Sequence, residues 1–345
     1  MTDARRSRLE IKYNHKTITS ALEPYLLSFS YTDNSSAKAD DFQINLEDKA
    51  GLWTNGWFPN KGDTLTASLI TENWNVPGKI VKLPFGLFEI DDISGSGPPN
   101  TVAIKSVSVP ISTSLRGEKK TRAWEKVRLS IIARDIASNA RLTVFFDSPY
   151  NPFYDRIEQT EQSDLSFLLK LCEDAGLALK ITGNQMIIFD EAKYEQAPPI
   201  LTIVKDGKLS NGVSVIPCIS YSFSVSSTEI YSKARVEYKG MNEKPIIHTF
   251  IPKNPPNTGR TLIINERVTS IAEAEILAKK RLRQKNKEEV KFSITVMGDT
   301  SLVSGVTVKL RGWGKLDGKY FAEASTHIGP VYTTQLELRR VLEGY

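Results

Sequence analysis

Histidine and cysteine, the side chains most often used for catalysis and metal binding, are scarce in this chain: three and two in 345 residues. His15, His248 and His327 are far apart, and none forms a metal-spaced pair with another His or with Cys172 or Cys218. Two cysteines allow one bridge at most, so a disulfide framework is excluded, and their apolar surroundings suit reduced, buried thiols. No apolar run reaches the ~18 residues of a membrane span. Met1 to Leu9 is polar and basic, without the apolar core of a secretory signal, so synthesis and folding in a cytoplasm are expected. Also missing are a Gly-x-Ser-x-Gly elbow, a Walker loop and a dinucleotide fingerprint. Gly95-Ser96-Gly97 leads into two prolines and a strand, where a phosphate cradle needs a helix N-terminus. Asp91-Asp92 would point to opposite faces of a strand and Glu173-Asp174 sits at a helix end, so both pairs read as solvated acids. The expectation is no catalytic residue, no cofactor-binding residue and no metal ligand. The net charge of +5, from 45 basic and 40 acidic residues, is too small and too evenly spread to indicate nucleic acid.

What the chain does contain is a β-unit written twice, about 250 residues apart. The first copy has Asp41-Phe42-Gln43-Ile44-Asn45-Leu46, then Gly62 to Leu69, then Gly86-Leu87-Phe88-Glu89-Ile90. The second has Lys291-Phe292-Ser293-Ile294-Thr295-Val296, then Gly305 to Leu310, then Gly318-Lys319-Tyr320-Phe321-Ala322. A long alternating strand closes each copy, Thr101 to Val109 and Tyr332 to Arg340. Duplication suggests a chain that builds symmetry rather than one that does chemistry.

Three parts follow. Residues 1–110 alternate with period two and carry turn signals at Asn60-Lys61-Gly62 and Gly95 to Asn100, predicting a β-barrel. Residues 111–196 predict an α+β insert of two helices and a hairpin. Trp124, Val127, Ile131, Ile132 and Ile136 place one helix over Trp124 to Asn139, and the other starts at a Ser163 cap and stops at Gly176. The hairpin joins Ala178 to Ile181 and Met186 to Phe189 across Gly183-Asn184. Residues 197–345 predict a second barrel with one helix, 270–287, opened by the capping box Ser270-Ile271-Ala272-Glu273 with Ile271, Ala274, Ala278 and Leu282 on one face. Lys279, Lys280, Arg281, Arg283, Lys285 and Lys287 crowd its last turns. They read as a solvated helix end favoured by the backbone dipole rather than a nucleic-acid patch, because no aromatics are interleaved.

The C-terminal run Val308-Lys309-Leu310-Arg311-Gly312-Trp313-Gly314, through Gly318-Lys319-Tyr320 and His327 to Tyr332 and Arg340, resembles the end of the phage late control D family. That family comprises the baseplate hub proteins of contractile phage tails and tail-like bacteriocins. The basic helix also looks like the family's, as do Gly97-Pro98-Pro99-Asn100, Lys119 to Glu125 and Tyr154 to Leu168, so the resemblance spans nearly the whole length. Ala322 stands where the family pattern has an aliphatic residue. The resemblance implies a mainly β fold: two tail-tube-like barrels related by duplication, with an α+β insert. It implies a homotrimeric ring that adapts a sixfold tail tube to a threefold central spike. Its partners would be the tube protein, the spike as a separate chain and other baseplate proteins, with no membrane insertion by itself and no specific nucleic acid. The expected location is a virion baseplate or tail-like particle made in a bacterial host. Two other classes stay open: a tail-associated peptidoglycan hydrolase, and a surface-glycan module using Trp53, Trp57, Phe58 and Trp74.

Overall fold

Period-two alternation becomes strand throughout the first part of the chain. The computed structural model describes residues 4–36, 38–108, 114–183, 185–206, 215–239 and 244–345. In it β1 (Arg6–Tyr13) turns through β2 (Lys16–Thr17) into a short helix, α1 (Thr19–Leu22). Then come β3 (Leu26–Asn34), β4 (Asp41–Glu47), β5 (Thr64–Glu72), β6 (Ile80–Ser96) and β7 (Thr101–Val107). They pair in the order β3-β4-β7-β6-β5-β1, every ladder antiparallel. Alternate residues such as Phe42, Ile44, Leu46 and Phe88 bury together. Among the described residues no ladder joins β1 to β3; Leu22, Leu9 and Phe29 share the core beside that seam. Val109, expected at the end of the closing strand, and residues 111–113 lie outside the described residues.

The middle part holds α2 (Ser114–Gly117), β8 (Lys119–Arg128), α3 (Leu129–Asn139), β9 (Thr143–Asp147) and β10 (Phe153–Ser163). It continues with α4 (Asp164–Asp174), β11 (Ala178–Thr182), β12 (Gln185–Phe189) and α5 (Glu191–Glu195). One expectation is corrected: the helix does not start at Trp124, because Lys119–Arg128 is a strand paired with β10. Lys126 adopts φ +49, which breaks the alternation, so Trp124 and Val127, three apart, both turn inward. That spacing imitates a helix. Trp124 stacks on Phe167 at 5.4 Å, and Arg122 and Lys120 pair with the buried Asp164 at 2.7 and 2.8 Å. Ile131 of α3 is exposed, whereas Ile132 and Ile136 are buried. The Ser163 hydroxyl accepts from the Ser166 amide and caps α4. After α4, Gly176 lies at φ +63, and a Cβ there would fall 2.7 Å from Lys280 Cβ, so both backbone and packing require glycine. The hairpin forms, with Asn184 outside the described residues, and gains β9 as a parallel third strand.

The last part comprises β13 (Thr202–Val204), β14 (Val215–Val225), β15 (Lys233–Tyr238), β16 (Ile246–Phe250) and β17 (Thr261–Ile264). There follow α6 (Ile271–Asn286), β18 (Val290–Met297), β19 (Thr307–Arg311), β20 (Gly318–Gly329) and β21 (Thr333–Arg340). β15, β16 and β17 form a separate small sheet, and Ala274, Ala278 and Leu282 of α6 share its core, whereas Ile271 is exposed. The Ser270 hydroxyl accepts from the Glu273 amide, but the Glu273 carboxylate takes the Thr269 amide rather than that of Ser270. The remaining six strands close into a barrel, because β13 lies parallel between β14 and β19 while β19 also pairs with β20.

Strand by strand, β14-β18-β21-β20-β19 repeats β3-β4-β7-β6-β5. Phe42, Ile44 and Leu46 face Ser106, Ile104 and Val102; Phe292, Ile294 and Val296 face Leu338, Leu336 and Thr334. Two irregularities recur as well. The register shifts between Leu26 and Ser28 and again between Cys218 and Ser220. It also shifts between Ile90 and Asp92 and again between Ala322 and Ala324. Such shared bulges mark one unit used twice. The sixth strand differs: β1 is antiparallel to β5, whereas β13 is parallel to β19.

Candidate functional site

The two units meet edge to edge. Ala324 to Gly329, the end of β20, pairs antiparallel with Asn34 to Phe29 of β3, making one 13-stranded sheet. The joint is closely fitted. Thr32 and Thr326 bring their hydroxyls within 3.3 Å, and a Cβ on Gly329 would lie 2.1 Å from the Phe29 ring, so only glycine fits there. His327 is buried between Tyr31 and Tyr332, with Nδ1 2.8 Å from the Tyr332 hydroxyl. Burial holds its pKa down, to about 4, so the ring is neutral at ordinary pH. Trp74, from the β5–β6 turn, packs on Tyr332 at 5.1 Å and donates its indole N–H to the Gly298 carbonyl. Lys180 of β11 fastens the insert to the same place: it pairs with Asp33, donates to the Asn34 carbonyl at 2.8 Å and reaches Ser304 at 3.3 Å. Burial pushes the neighbouring Asp40 up to about 6, against the pull of Lys180.

Among the described residues each unit also presents a stretch of strand whose outer edge has no ladder partner. β13 covers β14 only at Val215 to Pro217, and β5 covers β6 only as far as Glu89. Among the described residues the outer edges of 219–225 and 92–96 have no ladder partner. The register equates Phe29 and Tyr31 of β3 with Tyr221 and Phe223 of β14. The first two are 4% and 5% exposed, the second two 39% and 51%. Tyr31 is covered by Phe85 of its own unit and by the His327 strand; Tyr221 meets Trp313 edge-on at 5.5 Å and Phe223 packs on Phe292 at 5.4 Å, yet both rings stay exposed. Ile219 and Val225 beside them are exposed too.

The basic end of α6 is the solvated face expected from the sequence at Lys279, which is exposed, and at the half-exposed side chain of Lys285, but not at its other cations. Lys280 pairs with Asp190 at 2.9 Å, Arg281 with Asp174 at 3.0 Å, Lys287 with Glu191 at 3.1 Å, Arg283 with Glu195 and Lys285 with Glu229. Arg339 of β21, fully buried, completes the cluster through Glu191 and Glu323, each at 3.1 Å, and Glu195. Burial alone would raise the Glu191 pKa, but Arg339, Lys287 and Arg283 hold it down at about 2. The charges therefore fasten α5, α6 and the second unit together. Sequence reasoning missed this because α5 supplies the counter-charges from far along the chain.

The other singled-out residues are scattered. His15 is exposed in the β1–β2 turn, and His248 stands on β16 opposite Val236. Asp91 lies at a register shift with Asp92 exposed beside it; Glu173 is exposed, and Asp174 is the partner of Arg281. Both cysteines are free thiols, and burial raises the pKa of each. Among the described residues no group of three His, Cys, Asp or Glu side chains could hold a metal ion, and no helix is long and apolar enough to cross a membrane. Trp53 is buried, edge-on to Tyr25 and Trp57, while Trp57 and Phe58 are exposed beside an apolar cavity of about 320 Å³ at the mouth of the first unit.

No family model matches the chain. A curated relative, the probable baseplate hub protein of Escherichia phage P2, is 28% identical over 173 residues, which is 50% of this chain and 42% of the P2 protein. The chain thus matches less than half the length of that relative. Among solved structures, the tail protein from Neisseria meningitidis MC58 aligns with a TM-score of 0.69 at 12% identity, over 97% of each chain. The 43 kDa tail protein of prophage MuSo2 from Shewanella oneidensis gives 0.65 at 14% identity, over 97% of this chain and 98% of that one. An E. coli component of the type VI secretion system gives 0.54 at 10% identity, over 99% and 79%. The resemblance to phage hub proteins drawn from the sequence is met by a sequence relative of that description, and the mainly β fold is shared with phage tail proteins.

Proposed function

We propose that this chain is a structural hub of a phage-tail baseplate or tail-like particle, and that three copies form a ring. The observation that carries the reading is the repeated five-strand unit, with the same strand order, pairing and bulges, joined edge to edge through β20 and β3. Two like units per chain let three chains present six similar elements while keeping threefold symmetry. Such a ring suits a sixfold tube on one face and a threefold spike on the other, and its partners are the tube, the spike and neighbouring baseplate proteins. The P2 relative's description supports the hub role, and the buried, neutral His327 and ion-paired carboxylates serve packing rather than chemistry. Light scattering on the purified protein is expected to give the mass of three chains. A monomer at high concentration, both alone and with its spike partner, would refute the ring.

A further inference from the structure

The loop joining β4 to β5 is longer than the repeat requires. It spans residues 48–63, whereas its counterpart between β18 and β19 spans 298–306. The longer loop carries Trp53, Trp57 and Phe58 to the apolar cavity of about 320 Å³, which Ile44, Ile90 and Ile104 of the sheet line together with Ala21 and Leu22 of α1. The loop is held in place. The buried Asp48 accepts from the Trp53 amide and the Thr54 hydroxyl, each at 2.8 Å, and Trp57 donates its amide to the Leu52 carbonyl at 2.9 Å. Tyr13, also at the cavity, donates to Asp63, which accepts the Asn60 amide at 3.0 Å as well. A cavity framed in this way is formed before anything enters it.

The chemistry of the cavity selects its occupant. No charged side chain lines it. Trp53 is 7% exposed, and its indole N–H has no hydrogen-bond partner among the described residues. A buried donor left unmatched is costly, so a fitting occupant brings one acceptor on an uncharged, apolar body. A sugar would leave most of its hydroxyls unpaired here. At the roughly 30 Å³ that one water occupies, the cavity holds about ten non-hydrogen atoms, the size of a phenylalanine with its carbonyl. The rim favours a protein over a free small molecule. Trp57 and Phe58 stay half-exposed beside the cavity, and filling the cavity alone would not cover them. We propose that the cavity receives one phenylalanine-like side chain from a loop of a neighbouring protein. The backbone carbonyl of that residue accepts from Trp53 Nε1, and the chain on either side of it covers Trp57 and Phe58, an aromatic anchor in a pocket. The cavity shares no residue with the β20–β3 joint, so the site works with or without the ring.

The test titrates N-acetylphenylalanine methylamide, which supplies the ring and the carbonyl, into the whole chain carrying isotope-labelled tryptophan. Five tryptophans give five indole signals by NMR, and the Trp53 signal is identified by its absence from Trp53→Phe. The Trp53 indole proton is expected to move downfield as it gains an acceptor. Acetophenone, which fits the cavity but leaves the rim uncovered, is expected to bind roughly tenfold more weakly. Ala21→Phe, at an exposed position on the cavity wall, is expected to weaken the amide by roughly tenfold or more with the urea unfolding midpoint unchanged. An unmoved Trp53 signal at millimolar amide, or an equal shift in Ala21→Phe, would overturn the site. Acetophenone binding as tightly as the amide would overturn the protein anchor in favour of a free small molecule.

Discussion

His327 shows how a residue that looks chemical in sequence becomes structural in the fold. Buried against Tyr31 and Tyr332, it stays neutral down to about pH 4, whereas the unfolded chain protonates it near its ordinary value of 6.5. The unfolded state therefore binds the proton first, and stability falls as pH drops from 6.5 toward 4. Asp40, raised to about 6, works in the opposite sense: the folded state takes its proton first, adding stability as pH falls from 6 toward 3.8. A comparison with His327→Gln separates the two. The stability advantage of the natural chain over that variant is expected to shrink by about 2.5 kcal/mol between pH 7 and pH 4.5, read by urea unfolding. A constant difference would mean that the imidazole charges inside the fold.

At the scale of elements, the ion cluster decides how α5 and α6 sit against β21. Arg339 is the shared cation of Glu191, Glu195 and Glu323, so Arg339→Met leaves three carboxylates with only Arg283, Lys287 and Lys291 opposite them, one buried cation short, and should cost about 3 kcal/mol. Adding Glu195→Gln should restore part of that loss, since it removes the excess negative charge while Arg283 and Lys287 keep Glu191; unfolding midpoints of the single and double variants check it. The cluster also weakens in acid. Glu191 contributes fully above about pH 4.5 and loses its contribution as pH falls toward 2. On the neighbouring face of β21, Leu336 is fully buried opposite Ile294 and Ser325. Leu336→Asp should abolish recovery of intact tails by electron microscopy, because an unpaired buried carboxylate costs several kcal/mol of a margin of about 5–15. His15→Gln and His248→Gln, outside any such cluster, should leave tails intact in the same assay.

For the whole molecule, the main result is that one chain contains its own joint. The β20–β3 ladder is long-range, linking residues almost 300 positions apart, and the insert braces it through Lys180.

Much of this was legible in the residues themselves. Phe42-Ile44-Leu46 and Phe292-Ile294-Val296 declare strands because side-chain alternation is a local property of extended backbone, and the same spacing made the duplication visible. Ser163 and Ser270 announced helix starts for an equally local reason: a hydroxyl satisfies an amide two or three residues on. Tertiary structure decided what local pattern cannot hold. Lys126 at positive φ made a strand imitate a helix, and α5 converted a basic helix end into a buried ion cluster. β13, parallel where β1 is antiparallel, links β19 to β14 and closes the second barrel, whereas among the described residues no ladder joins β1 to β3. Each of these depends on groups distant in sequence, whose pairing is selected only when the whole sheet forms.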